Sequence, residues 1–495
     1  MKQVIIIVFF TFNSIWGLCQ NQNNIWLLGN DSGWPNLGRF IFGPTSYQLV
    51  DEQRKMTFKG TQANISDNNG NLLMSSNGVW IANANGDTMM NGAGLNPGYF
   101  VNSWPYGLLI PNGNVFLPFP EDTNLMLLIH QTELDDDNFM GVYQTILDIN
   151  LDNGLGAVIQ KNDSLLVDTL GWGLTAVRHA NGQNWWVVLM EDGNDSAYTI
   201  SYSVSGKDSI FKQALNYTPF PHGNVTQLTF SQDGTKFITT TYDNPIDRNS
   251  SVVLADFDRC SGLFSNTVVI PVSFGGYLWG LAFSPSGQFV YTCTSNHVFQ
   301  INTTTYTVDT VATYDGFISG LPPSCCATTF FNMYLAANGK IYITSGSSTM
   351  HIHEMNYPDS TGIACDIQQH SIALNNYFHL RSVPNHPNYY LGCDTTLGCP
   401  CLTTGIEEHG SHEFRFNVAP NPTNGSFKIT YLLPQNQPGK LEVFDINCRR
   451  IYEMNLPHWS TMQNISVPNL ADGMYNAVIT SAAERVSKKV IILKE

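Results

Sequence analysis

His351 and His353 alternate by two, so on an extended strand both imidazoles share one face, an arrangement a transition metal accepts. No third ligand stands beside them in the sequence, and a pair of surface histidines without metal is the expectation. His353-Glu354 lacks the second histidine of an H-E-x-x-H zinc helix, and no G-x-S-x-G elbow presents a hydrolase nucleophile. Asp148-Ile149-Asn150-Leu151-Asp152-Asn153-Gly154 imitates a calcium loop, but its glycine falls one position late and Ile159 stands where a bidentate Glu belongs. A strand followed by a turn is expected there. Asp135-Asp136-Asp137 reads as a solvated loop, with weak calcium binding as the alternative. Aromatic residues make up 12%, including Trp80, Trp104, Trp172, Trp185, Trp186 and Trp279. Most should pack between strands, leaving a few to stack on sugar rings. The sequence thus assigns no catalytic, cofactor-binding or metal-binding residue.

The ten cysteines depend on the compartment. Lys2 followed by the apolar run Val4 to Phe12 has the form of an export signal too short to span a bilayer. Gly17 and Cys19 place small residues before a cut between Cys19 and Gln20. Lipidation of Cys19 is the alternative, opposed by the bulk of Leu18. No later segment is long and apolar enough to cross a membrane. Outside the cytoplasm thiols tend to pair. Cys260, Cys293, Cys325, Cys326, Cys365, Cys393, Cys399 and Cys401 are therefore read as disulfide partners, with Cys325, Cys326, Cys365 and Cys393 the first candidates. Zinc is the lesser reading, because no C-x-x-C spacing occurs.

The elements that must position these groups are strands. The chain has 495 residues, 43% hydrophobic but only 13% charged, and a net charge of -16. That balance supports a large core and excludes a non-specific nucleic-acid binder, which runs on Lys and Arg. A short unit recurs: a Gly turn, then an apolar strand. It appears at Asn69-Gly70, Asn112-Gly113, Asn181-Gly182, Asp233-Gly234, Ser286-Gly287 and Asn338-Gly339. From Gly182 the glycines fall 52, 53 and 52 residues apart, and the earlier gaps are 43 and 69. A period near 50 with about four strands per unit predicts a β-propeller. Six turns are visible. A seventh blade is built from the segment after Tyr377 together with Asn24 to Phe42, so seven blades are expected over residues 20–392.

Phe230-Ser231-Gln232-Asp233-Gly234 and Phe283-Ser284-Pro285-Ser286-Gly287 resemble the F-S-P-D-G turn of WD40-like propellers. Ile65 to Leu73, Leu174 to His179, Asp256 to Gly262 and Pro384 to Tyr389 resemble a group of secreted bacterial propellers. The resemblance implies fold and leaves activity open, since propellers host many functions.

Residues 393–415 lack periodicity and read as a linker. From 416 to 495 short alternating segments return, with 8 basic and 6 acidic residues, leaving -18 for the rest of the chain. They predict a small immunoglobulin-like β-sandwich. Pro420-Asn421-Pro422 with Gly425, Gly473 and Tyr475, and Lys488-Lys489 resemble in order and spacing the C-terminal sorting domain of type IX secretion; Cys448 departs from the usual Gly. The resemblance implies passage through the periplasm and across a Gram-negative outer membrane, with the type IX machinery as partner. It also implies removal of the domain by cleavage in the linker.

The expected protein is therefore all-β. It has a signal at residues 1–19, a propeller, a linker and a sorting sandwich, and it is secreted or held at the cell surface. The propeller is expected to bind an extracellular protein or glycan without a cofactor. A lyase or glycosidase with paired carboxylates in the channel is one alternative, and a structural adhesion or motility protein the other.

Overall fold

A computed structural model describes residues 21–30, 37–134, 139–219, 227–244, 249–272, 276–319, 326–375, 377–381, 383–401, 415–433, 438–445, 449–457, 461–467, 470–481 and 484–494. The signal residues, Cys19 and Gln20 among them, lie outside this set, as do Asp135, Asp136, Asp137, Cys325 and Cys448. The chain divides into two compact units, Met1–Thr403 and Thr404–Glu495.

The first unit has seven blades. Blade 1 has three strands, Ile25–Leu28, Leu37–Phe42 and Tyr47–Glu52. Blade 2 runs Ala63–Ser66, Leu72–Ser76, Trp80–Asn83 and Thr88–Ala93, and blade 3 Asn114–Pro118, Leu125–Glu133, Phe139–Asp148 and Ala157–Thr169. A single parallel pairing, Ala157 with Met90, joins these two into an eight-stranded sheet. Blade 4 spans Thr175–Arg178 to Gly206–Ala214, blade 5 Thr229–Phe230 to Leu263–Val272, blade 6 Leu281–Phe283 to Val308–Thr313, and blade 7 Phe330–Leu335 to Ile367–Ala373. Each of these four is a four-stranded antiparallel meander in chain order.

Burial follows position in the blade. Trp185–Met190, a second strand with neighbours on both faces, is buried at every residue, whereas the outermost strand Gly206–Ala214 has none buried. A strand covered on both sides reads as a continuous apolar run, and an outer one as mixed. The ring closes on an aromatic cluster. Trp26, Phe40 and Phe42 of blade 1 meet Tyr342 of blade 7 at centroid distances of 5.6, 5.6 and 5.4 Å. Burying a ring such as Phe40 stabilises by about 2–3 kcal/mol.

The glycine turns sit where the repeat requires them, with one exception. Gly70, Gly182, Gly234, Gly287 and Gly339 each join the first and second strands of their blades, with φ between +71° and +85°. Gly113 does not. It precedes the first strand of blade 3, whose corresponding turn lies at residues 119–124. The gaps of 43 and 69 arise from this displaced glycine. At Gly182 the requirement is double: φ is +81°, and an added Cβ would lie 2.8 Å from the Cys393 nitrogen.

The composite closing blade needs correction. All three strands of blade 1 come from the N-terminal side, and the described residues after Tyr377 add no strand to that sheet. Pro384 and Pro387 have no N–H to donate to a ladder, which keeps this stretch out of the blade.

The second unit is a sandwich of a three-stranded sheet (Arg415–Ala419, Ser426–Leu432, Met462–Ser466) and a four-stranded one (Arg450–Leu456, Gly439–Phe444, Gly473–Ser481, Glu484–Ile492). Phe416, Ile429, Leu441, Ile479, Val490 and Ile492 fill the space between them.

Candidate functional site

A propeller offers its channel as the natural site, and here the chain fills it. The segment from Val383 to Leu391 touches five blades. Asn385 Nδ2 donates to the Leu174 carbonyl at 2.7 Å and His386 Nε2 to that of Asn64 at 2.7 Å. Asn388 Nδ2 donates to Gln232 O at 2.7 Å, Tyr389 Oη to Phe116 O at 2.9 Å, and Tyr390 Oη to Asn23 Oδ1 at 2.8 Å. Burial pushes the His386 imidazole down to about 4, so it is the neutral ring that donates. Beside this plug, Gln227 ties blade 5 to blades 6 and 7, accepting from the Leu281 and Met333 amides at 3.0 and 3.2 Å. Tyr334 Oη crosses to Asn112 Oδ1 at 2.9 Å. What is left is a cavity of about 50 Å³ between Trp26, Asn112, Gln227, Tyr334 and His386, room for one or two waters.

Below the plug a strap follows. Arg259 is almost fully buried and donates from Nη2 to Gly392 O at 2.8 Å and from Nε to Arg178 O at 2.9 Å. Asp394 N donates to Ala180 O at 2.8 Å. Disulfides Cys260–Cys399 and Cys393–Cys401 fasten the same stretch. Residues 393–401 are therefore part of the propeller unit, which corrects the linker start; residues 402–414 lie outside the described set. The cysteine expectation is also revised. Cys393 pairs with Cys401, Cys326 is disulfide-bonded, and Cys365 is a free buried thiol, as is Cys293. Burial pushes the Cys365 thiol up to about 11, the mark of a packed and unreactive group.

Two mouths remain. On the side of the glycine turns lies a cavity of about 480 Å³, lined by Asn23, Asn24, Gln232, His386, Asn388 and Tyr390 among others. None of its described lining residues carries a charge at neutral pH, so it offers amide and hydroxyl hydrogen bonds and no acid–base pair. On the side where the first strands begin, Tyr277, Trp279 and Phe331 form a stepped aromatic run, with centroids 5.6 and 5.0 Å apart.

His351 and His353 lie two apart on the strand His351–Met355, as the spacing predicts. His353 is fully buried, not a surface residue. Its Nδ1 accepts from the His370 amide at 2.9 Å, its ring sits 5.0 Å from Phe330, and burial pushes it down to about 4. His351 Nδ1 meets Ser319 Oγ at 2.7 Å, and His370, unnoticed in the sequence, stacks on Phe317 and pairs with Asp315 at 2.9 Å. Among the described residues no group of His, Cys, Asp or Glu is arranged to hold a metal. Asp148 ends a strand and caps a turn through the Asn150 amide at 2.9 Å.

In the sandwich the motif residues converge on the last strand. Asn421 Nδ2 donates to Lys489 O at 2.7 Å and its Oδ1 accepts from the Ile491 amide at 2.8 Å. Thr423 N donates to Ile491 O at 2.8 Å, and Tyr475 Oη to Ala471 O at 2.9 Å. Pro420, Pro422, Lys488 and Lys489 are exposed, Gly425 takes φ +107° in the turn, and Gly473 begins its strand. Lysine side chains project to solvent while their backbone holds the latch.

Residues 417–493 match the family described as a secretion system C-terminal sorting domain. No curated protein matches the chain. Among solved structures it is similar to a periplasmic gluconolactonase of Pseudomonas aeruginosa, at 12% identity and a TM-score of 0.40, covering 73% of this chain and 98% of that one. It is similar to a functionally unknown protein of Desulfotomaculum acetoxidans at 12% identity and 0.37, covering 73% and 99%. A hypothetical selenium-binding protein of Sulfolobus tokodaii stands at 9% and 0.37, covering 68% and 87%. These likenesses are too distant to transfer an activity. No helix among the described residues is long and apolar enough to cross a membrane. Residues 417–493 are a type IX secretion C-terminal sorting domain that follows a seven-bladed β-propeller, and the chain is exported by that route to the cell surface or the extracellular space.

Proposed function

We propose that the propeller is a recognition module for an extracellular protein or glycan, delivered by its sorting domain. The observation that supports this is the plug. Val383 to Leu391 occupies the channel where a lyase or glycosidase would seat its carboxylates, and five blades hold it there. Hydrolysis or elimination needs an acid and a base converging on one bond. The mouth cavity has neither among its described lining residues, and presents neutral donors and acceptors beside Tyr390. Such walls suit hydroxyl-rich or peptide surfaces. The test applies the mature exported protein to a glycan array and to surface proteins of the producing cell, with product analysis of every binder. Saturable binding without turnover is expected; release of shortened or unsaturated products would overturn the reading.

A further inference from the structure

Arg381 lies just before the plug with φ +62°, a conformation a non-glycine side chain adopts at a cost and only when its surroundings enforce it. Its amide donates to Ser345 O at 3.0 Å, and its Nη1 reaches Leu109 O at 3.4 Å, so it bridges blade 7 and the approach to blade 3. The guanidinium carbon lies 5.7 Å from the Phe331 ring centroid. Nε is buried without a partner. No carboxylate among the described residues forms an ion pair with it, although the chain carries 39 acidic residues against 23 basic ones. Arg39 and Arg54 share Glu52, whereas Arg178 and Arg259 spend their donors on backbone carbonyls within the propeller. From Phe331 the aromatic run continues outward through Trp279 to Tyr277, which is 44% exposed. Trp279 is itself turned by a hydrogen bond from Nε1 to Ser295 Oγ at 3.2 Å.

We propose that the patch formed by these neighbouring residues is a subsite for a saccharide bearing an isolated carboxylate, with Tyr277 and Trp279 as the stacking shelf and Arg381 as the carboxylate partner. It rests on the recognition reading above. The C–H face of a pyranose is apolar and weakly positive, matching the negative face of an aromatic ring. A planar guanidinium presents parallel donors that fit a carboxylate better than a point charge does. Partial burial makes an unpaired guanidinium expensive and its pairing correspondingly favourable. A single cation on a chain of net charge -16 fits one carboxylate and not a polyanion.

The test is calorimetric titration of the mature protein with sialyllactose and an aldobiouronic acid, each beside its methyl ester. At least one acid should bind about ten- to a hundredfold more tightly than its ester, the size of one charge-assisted pair. Arg381→Met should erase that preference, Arg381→Lys should keep part of it, and Trp279→Ala should weaken acid and ester alike. Thermal midpoints of the variants separate lost binding from lost folding. Equal binding of acid and ester, a preference intact in Arg381→Met, or no binding of either acid overturns the proposal. Neutral glycans bound on the array and untouched by Arg381→Met would leave the recognition reading standing while this subsite falls. An array and a protein panel without any binder would remove both.

Discussion

Replacing Cys260 and Cys399 by serine releases the strap that follows the plug. The bridge spans 139 residues of sequence, whereas Cys393–Cys401 spans 8. Cross-linking removes loop-closure entropy from the unfolded chain in proportion to the logarithm of loop length. At 25 °C that gives about 5 kcal/mol for the long loop and about 2.5 kcal/mol for the short one. Without the long bridge the strap keeps Arg259 on Gly392 and Asp394 on Ala180, each worth about 1 kcal/mol. Those bonds are too weak to hold residues 391–401 closed at all times. The double serine variant should therefore unfold at a lower urea concentration, and amides from Val383 to Cys401 should exchange faster than the blade strands. Replacing Cys393 and Cys401 should have about half the effect on stability and little on the plug. Hydrogen exchange read by mass spectrometry, beside urea midpoints, checks both. Unchanged protection from Val383 to Cys401 in the Cys260/Cys399 variant would refute the strap as the plug's anchor.

Asn421→Ala removes a donor to Lys489 O and an acceptor from Ile491 N, costing the sandwich about 1–3 kcal/mol. In a host with the type IX pathway it should shift protein from the medium to the periplasm, which immunoblotting of fractions reads; equal export would count against the latch. Acid should also destabilise the propeller well before its carboxylates protonate. Burial holds His130 down to about 3 and His353 and His386 to about 4. Unfolded imidazole takes up its proton near 6.5, so the stability from keeping these rings neutral is complete above that pH. It is lost as pH falls from there toward 4, at about 1.4 kcal/mol per pH unit for each ring. Urea midpoints should stay level from mildly alkaline to neutral pH and fall once the pH drops below about 6.5, and a profile that stayed flat into mildly acidic pH would contradict the buried neutral state.

The sequence by itself determined the repeat and the address. A glycine at the first turn of a blade is demanded by local backbone conformation, so Gly70, Gly182, Gly234, Gly287 and Gly339 announce blades without any long-range information. The sorting motif was legible through the order of its residues along some eighty positions; Gly425 serves a local turn, whereas the bond from Asn421 to Ile491 is long-range and became visible only in the structure. Asn112-Gly113 misled because a Gly marks a turn without saying which of a blade's four turns it is. Only the tertiary structure decided what depends on closure of the ring. His386 and Asn64 are 322 residues apart, and Cys260 and Cys399 are 139 apart. Neither pairing has a local cause. Whether a two-residue spacing such as His351 and His353 faces solvent or core depends on which neighbouring chain covers that face. Here Phe330 and the His370 amide cover it, bury His353 and remove it from the surface. The channel shows the same division. Pro384 and Pro387 forbid a ladder by their own chemistry, but only the five blades around Val383 to Leu391 turn that unpaired stretch into a plug.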